Sequence, residues 1–282
     1  MSLSYLKQKS RLKTAAFTLL ELLVVISIIS MLMSIILPSL NRAREAGKRA
    51  VCLSNARQLT FAWTIYASAN NDKMCASDTC WNGPQPWPEN FISGNNHWVS
   101  DGPGLPFNDF CGTETSIQKG VLWPYLEQLD IYKCGSDTSG FVRSYGISHA
   151  MGAIYNHNLE WNFYRTGEIT MPSQKMVFID IELSPYRTSQ GEMNGCDADG
   201  SVETINTYSN TWDGNLGDLT YRHNNGCNMS FADGHVKHWK WMDNRTMEIM
   251  DDNLKKLEEY SIDNPDLTRL LPLIRGVRDR QF

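Results

Sequence analysis

The chain has no Cys-x-x-Cys pair, although it contains seven cysteines: Cys52, Cys75, Cys80, Cys111, Cys134, Cys196 and Cys227. That absence argues against a zinc ribbon and against a thioredoxin-like redox motif. Cysteines dispersed in this way more often pair as disulfides in an oxidising compartment. An odd number leaves one over, and spacing alone selects no pairing. The chain also lacks an excess of positive charge. Its net charge is −5, whereas general nucleic-acid binding requires a basic face to neutralise phosphates. No phosphate-binding loop, dinucleotide fingerprint or nucleophile motif is present, so catalysis has little support.

What the chain does contain is unevenly placed. Hydrophobic residues make up 41% and charged residues 20% of 282, which predicts a packed core rather than disorder. Lys7, Lys9, Arg11 and Lys13 stand in the first sixteen residues without an acid. Beyond them 22 basic residues face 31 acidic ones, a balance of −9. The pattern is that of a basic leader ahead of an acidic exported domain.

Residues 17–37 form an apolar run of 21 with a single charge, Glu21. About 20 apolar residues cross a bilayer as a helix, so this is a candidate membrane span. The basic residues before it predict a cytoplasmic N-terminus and an exported bulk. An ordinary secretory signal fits poorly, because the run is long, carries a carboxylate and is not followed by an A-x-A-like site. A carboxylate at that depth costs a few kcal/mol and is usually retained for a partner.

The stretch AAFTLLELLVVISII resembles the prepilin processing motif of type IV pilins and type II secretion pseudopilins. The resemblance implies cleavage between Ala16 and Phe17 by a prepilin peptidase, followed by methylation of Phe17. It places Glu21 at the glutamate that, in the family, pairs with the terminal amine of a neighbouring subunit. Such a pairing gives a buried charge its partner. Pro38 falls where pilin helices carry a kinking proline. Ala16 departs from the glycine that the family prefers before the cut.

After Pro38 the pattern stays helical. Cys52, Ala56, Leu59, Ala62, Trp63 and Tyr66 recur at spacings of three and four and draw one apolar stripe. A helix from Phe17 to about Ala69 would be roughly 80 Å long. Residues 70–120 then turn rich in Gly, Pro, Asn and Trp, which predicts a loop-rich insertion. Its Trp81, Trp87 and Trp98 suit either a small irregular core or a carbohydrate-stacking surface. Further on, GVLWPYLEQL predicts a short helix and KMVFIDIEL a strand. CNMSFADGHVKHWKW predicts a hairpin turning at Asp233-Gly234, and MEIMDDNLKKLEEY an amphipathic helix. A second short apolar segment, LTRLLPLIRG, closes the chain.

Nine residues separate His223 from Asp233-Gly234, which resembles the H-X9-DG signature of a large group of prepilin-processed bacterial proteins. Other landmarks of that group follow in order: CLSNARQLTFAWTIYASANND, GVLWPYL, CGSD (the group's usual CPSD), SYGIS and MVFIDI. The resemblance implies an assembly class, not a chemistry.

Two clusters carry possible metal or acid–base chemistry. His223, Asp233, His235 and His238 are residue types that bind zinc or move protons. On an alternating strand, however, His235 and His238 face opposite ways, and Asp233-Gly234 has a sufficient role as a turn. Asp197, Asp199, Ser201 and Glu203 offer oxygens at alternate positions, a spacing that suits calcium or a solvated acidic turn. Calcium-bound major pseudopilins make calcium the cofactor implied by resemblance.

The expected fold is α+β: a long N-terminal helix packed on an antiparallel sheet head with loop-rich insertions. The segments are a leader (1–16), a helix (17–69, spanning the membrane over 17–37), a head (70–244) and a helical extension (245–282). The expected role is a structural, non-enzymatic subunit of a pilus-like or pseudopilus-like filament. Its partners are prepilin peptidase, other pilin-like subunits and the inner membrane, with no nucleic acid. A membrane-anchored, extracytoplasmic carbohydrate-binding module and an exported metal-dependent hydrolase using His223 and Asp233 are the rival readings.

Overall fold

The computed structural model describes residues 18–77, 114–148, 150–152, 163–181, 201–202, 205–206, 211–212, 219–250 and 262–274. The chain forms two compact units, residues 1–44 and 45–282. Helix α1 (Leu19–Ala69) begins in the first and ends in the second.

In the first unit every described position from Thr18 to Leu40 is exposed, and the apolar side chains of Leu19 through Leu37 have no protein to cover them. This is a helix long and apolar enough to cross a membrane. Its polar side chains fold back on the backbone. The hydroxyls of Ser27, Ser30, Ser34 and Ser39 donate to the carbonyls of Val24, Ile26, Met31 and Ile36 at 2.7–2.8 Å. A serine bonded in this way presents no unsatisfied donor to hydrocarbon. The helix continues through Pro38.

In the second unit the stripe expected on α1 is buried: Cys52, Ala56, Leu59, Ala62, Trp63 and Tyr66 are all at most 5% exposed. They pack on a five-stranded sheet of order β3-β1-β2-β6-β7. Its strands are β1 (Tyr145–Ser148), β2 (Met176–Asp180), β3 (Ser201–Val202), β6 (Gly226–Phe231) and β7 (Val236–Lys240). A separate pair joins β4 (Ile205–Asn206) to β5 (Thr211–Trp212). Four strands of the main sheet are antiparallel, and β3 lies parallel to β1. The α+β class expected from the sequence is the one the chain forms.

The central strands β2 and β6 are buried along their whole length because both sheet faces are covered. Val177 and Phe178 join the α1 side with Tyr145 and Ile147. Cys227, Met229 and Phe231 join the other side, with Trp239, Trp241, Leu267 and Leu270. The closing apolar segment supplies much of that second cover as helix α5 (Pro265–Ile274). The Asn264 side-chain oxygen accepts the N–H groups of Asp266 and Leu267 at 2.9 and 3.2 Å, and Pro265 opens the helix. An N-cap oxygen followed by proline is a strong helix start. Between β7 and α5 runs α4 (Asn244–Met250). The segment GVLWPYL forms α3 (Trp123–Leu126), after the short α2 (Glu114–Lys119).

Candidate functional site

Two places carry the residues singled out by sequence. At the first, Ala16 and Phe17 lie outside the described residues, but the helix start beside them is defined. Thr18 precedes α1, and its backbone N–H and hydroxyl both donate to Glu21 Oε2 at 2.9 Å. The Glu21 N–H returns a bond to the Thr18 hydroxyl at 3.2 Å. This reciprocal Thr-x-x-Glu arrangement is a capping box, which satisfies helix donors that otherwise lack partners. The sequence reading assigned Glu21 only to a neighbouring subunit. The structure adds a local role within its own helix.

The second place is built around His223, in the turn that leads into β6. His223 is fully buried. Its Nδ1 lies 3.2 Å from Glu45 Oε1 on α1. A carboxylate only accepts, so Nδ1 is the donor to Glu45. Nε2 lies 3.2 Å from Cys134 Sγ and 3.4 Å from Asp180 Oδ2. Cys52, on α1, completes the group: the donor atoms of Cys52, Cys134 and His223 all lie within 4.8 Å of one another. Cys52, Asp180 and His223 are 0% exposed and Cys134 is 1%.

Each member is held by its own element. The last residue of β2 is Asp180, whose Oδ2 accepts the Asn228 N–H of β6 at 2.8 Å. Cys134 opens the CGSD loop; its N–H donates to Ser144 Oγ at 3.0 Å, and its sulfur accepts the Ser136 N–H at 3.4 Å. Asp137 of the same loop accepts the Ser144 hydroxyl and pairs with Arg222, next to His223. Asn55 of α1 donates to the carbonyls of Asp130 and Lys133 at 3.0 and 3.2 Å and so docks the chain ahead of Cys134 on the helix. The Tyr145 hydroxyl donates to the Cys52 carbonyl at 3.2 Å.

The groups perturb one another strongly. Burial, and then the nearby Cys134, push the Asp180 carboxyl well above the usual carboxylate range, against the pull of His223, Asn228 and Arg222. The hydrogen bond to Cys52, and then burial, raise the Cys134 thiol. That same bond lowers Cys52, as the thiolate that receives it is favoured. Burial alone would lower His223, but its bond to Cys134 and the Asp180 charge carry it upward.

The remaining sequence candidates do not join this group. Asp233 lies at the other end of the hairpin, beyond the six residues of β6, which separates it from His223 by about 20 Å of strand. The hydrolase pair of His223 and Asp233 is therefore not formed. Asp233 Oδ1 instead accepts from the His235 backbone N–H at 3.1 Å and lies 2.6 Å from its ring Nδ1. The His235 ring stacks on Phe231 with 4.1 Å between centroids. Gly234 takes φ 87°, a left-handed value that the turn requires and glycine adopts freely. His238 faces Asn228. Asp197, Asp199 and Glu203 lie outside the described residues, as do Trp81, Trp87, Trp98, Cys80, Cys111 and Cys196, while Ser201 opens β3. The four described cysteines, Cys52, Cys75, Cys134 and Cys227, are free thiols.

Sequence reasoning did not find the Cys52, Cys134, Asp180 and His223 group, because no local spacing connects its members. One signal was present: CLSNARQL, CGSD, SYGIS, MVFIDI and His223 each contribute a residue to it or to its immediate supports.

Residues 11–37 match a family model described as the prokaryotic N-terminal methylation motif. No curated protein and no solved structure matches the chain.

Proposed function

We propose that the chain is a structural subunit of a type IV pilus-like or type II secretion pseudopilus-like filament. Prepilin peptidase cuts it between Ala16 and Phe17, and the new terminus is methylated. The observation that carries this reading is the match of residues 11–37 to the N-terminal methylation motif. The uncovered apolar face of α1 supports it, since such a face needs lipid or other helices around it. Before assembly residues 17–37 anchor the subunit in the inner membrane, with the leader cytoplasmic and the acidic head in the periplasm. In the filament the same surface packs against its neighbours. The spacing from His223 to Asp233-Gly234 supports reading it as one of the H-X9-DG group of such proteins.

The test is the N-terminus of protein recovered from its native membrane, read by intact mass and terminal sequencing. A chain starting at a methylated Phe17 is the expected result. A chain that retains Met1 would overturn processing and leave a plain membrane-anchored protein.

A further inference from the structure

Three side chains from separate parts of the fold, the thiols of Cys52 and Cys134 and the imidazole of His223, converge in the second unit with the chemistry of metal ligands, and the Asp180 carboxylate lies beside His223. Neutral imidazole and thiolate are the donors that zinc prefers, and a carboxylate commonly completes the set. The spacing suits a single ion. With bonds of about 2.0–2.3 Å, neighbouring donors of a tetrahedral zinc site stand about 3.3–3.8 Å apart. The His223 Nε2 distances to Cys134 Sγ and Asp180 Oδ2 are 3.2 and 3.4 Å, just below and just inside that range. Cys52 is within 4.8 Å of the other two.

The surroundings are those of a built site. A metal-bound histidine characteristically gives its other nitrogen to a carboxylate, which fixes the tautomer and raises the ring's basicity. Here Glu45 occupies that position, 3.2 Å from Nδ1. The Ser136 N–H points at Cys134 Sγ, a donor that favours the thiolate. Asp180 Oδ1 is buried without a hydrogen-bond partner, while Oδ2 is tied to Asn228. An orphaned carboxylate oxygen is costly in a protein interior, and a cation removes that cost. Calcium and magnesium are disfavoured, since both take oxygen donors.

We propose that Cys52, Cys134 and His223 hold one structural zinc ion, and that Asp180, beside His223, closes the fourth position on binding. All four donors belong to the protein and are buried, so no open position remains for substrate, and the ion's role is to fold and fasten. It ties α1 to the CGSD loop, the end of β2 and the turn before β6. This inference is independent of whether the chain assembles into a filament.

The experiment uses the full-length chain, extracted in mild detergent without chelators. Elemental analysis is expected to find about one zinc per chain. Exchange with cobalt is expected to produce a thiolate-to-cobalt charge-transfer band. Thiol alkylation with peptide mapping is expected to label Cys52 and Cys134 only after chelation, a reading that needs no variant. Replacing both by serine should abolish binding. Glu45→Gln keeps every ligand and should weaken zinc affinity about 10–100-fold in chelator competition. Three results would overturn the proposal: a chain that stays metal-free after reduction and zinc addition, a Cys52–Cys134 cross-linked peptide in the native protein, or full zinc retention by the double serine variant.

Discussion

At the scale of single residues, Gly226 shows how little room the fold leaves at the start of β6. A Cβ there would lie 2.3 Å from the Trp239 carbonyl oxygen, 2.8 Å from His238 Cε1 and 3.0 Å from Lys240 Cα. Two of these are backbone atoms of the paired strand and cannot step aside. Gly226→Ala is expected to destabilise the head by about 1–3 kcal/mol or more, as overpacking does. Gly135, in the CGSD loop, has nothing within 4 Å of its Cβ position. Gly135→Ala should therefore stay within about 0.5 kcal/mol of the parent. Thermal unfolding of both variants in one detergent provides the comparison, and equal losses would contradict the packing argument.

At the scale of elements, α4 starts on Asp243, which accepts the Arg245 N–H at 2.9 Å and its guanidinium at 2.6–3.1 Å. Those bonds, the guanidinium's first, hold the Asp243 carboxyl below its ordinary value of 3.8. With the folded pKa depressed, the stabilisation is present above the unfolded value and lost as pH falls through the folded one. Asp243→Asn keeps a capping oxygen but removes the charge. The stability gap between parent and variant is expected to be constant above about pH 5 and to narrow in acid. Thermal midpoints across that range check it, and a gap indifferent to pH would refute it. Elements of this kind were largely legible in the sequence. The buried stripe of α1 follows from its spacing, and the hairpin turn from Asp233-Gly234, since both are local patterns. The apolar closing segment was legible as apolar but not as the second cover of the sheet, because that depends on which face lacks a partner. The Thr18–Glu21 capping box was also legible, but the charge of Glu21 drew the reading to a distant partner. The His223 group was not legible: Glu45 and His223 are 178 residues apart, and only tertiary packing joins them.

At the scale of the whole molecule, the two roles of Glu21 can be separated. Its capping bonds belong to the isolated chain, whereas charge pairing with a neighbour's terminal amine belongs to the assembled one. Glutamine serves at the third position of a capping box as glutamate does. Glu21→Gln thus preserves the helix start while removing the charge. An uncharged side chain is also easier to place in a bilayer, so insertion should not suffer. If α1 were only an anchor, the variant would behave as the parent in every assay. In a filament subunit, losing one member of a desolvated ion pair leaves the neighbour's amine uncompensated, a defect of about 3–5 kcal/mol. The expected outcome is normal membrane insertion and cleavage before Phe17, with incorporation into sedimentable filaments reduced more than about 10-fold. Cross-linking between subunits in the native membrane, measured beside terminal sequencing, reads both quantities from one preparation. Unchanged cross-linking in the variant would confine Glu21 to its capping role and withdraw charge pairing from the assembly mechanism.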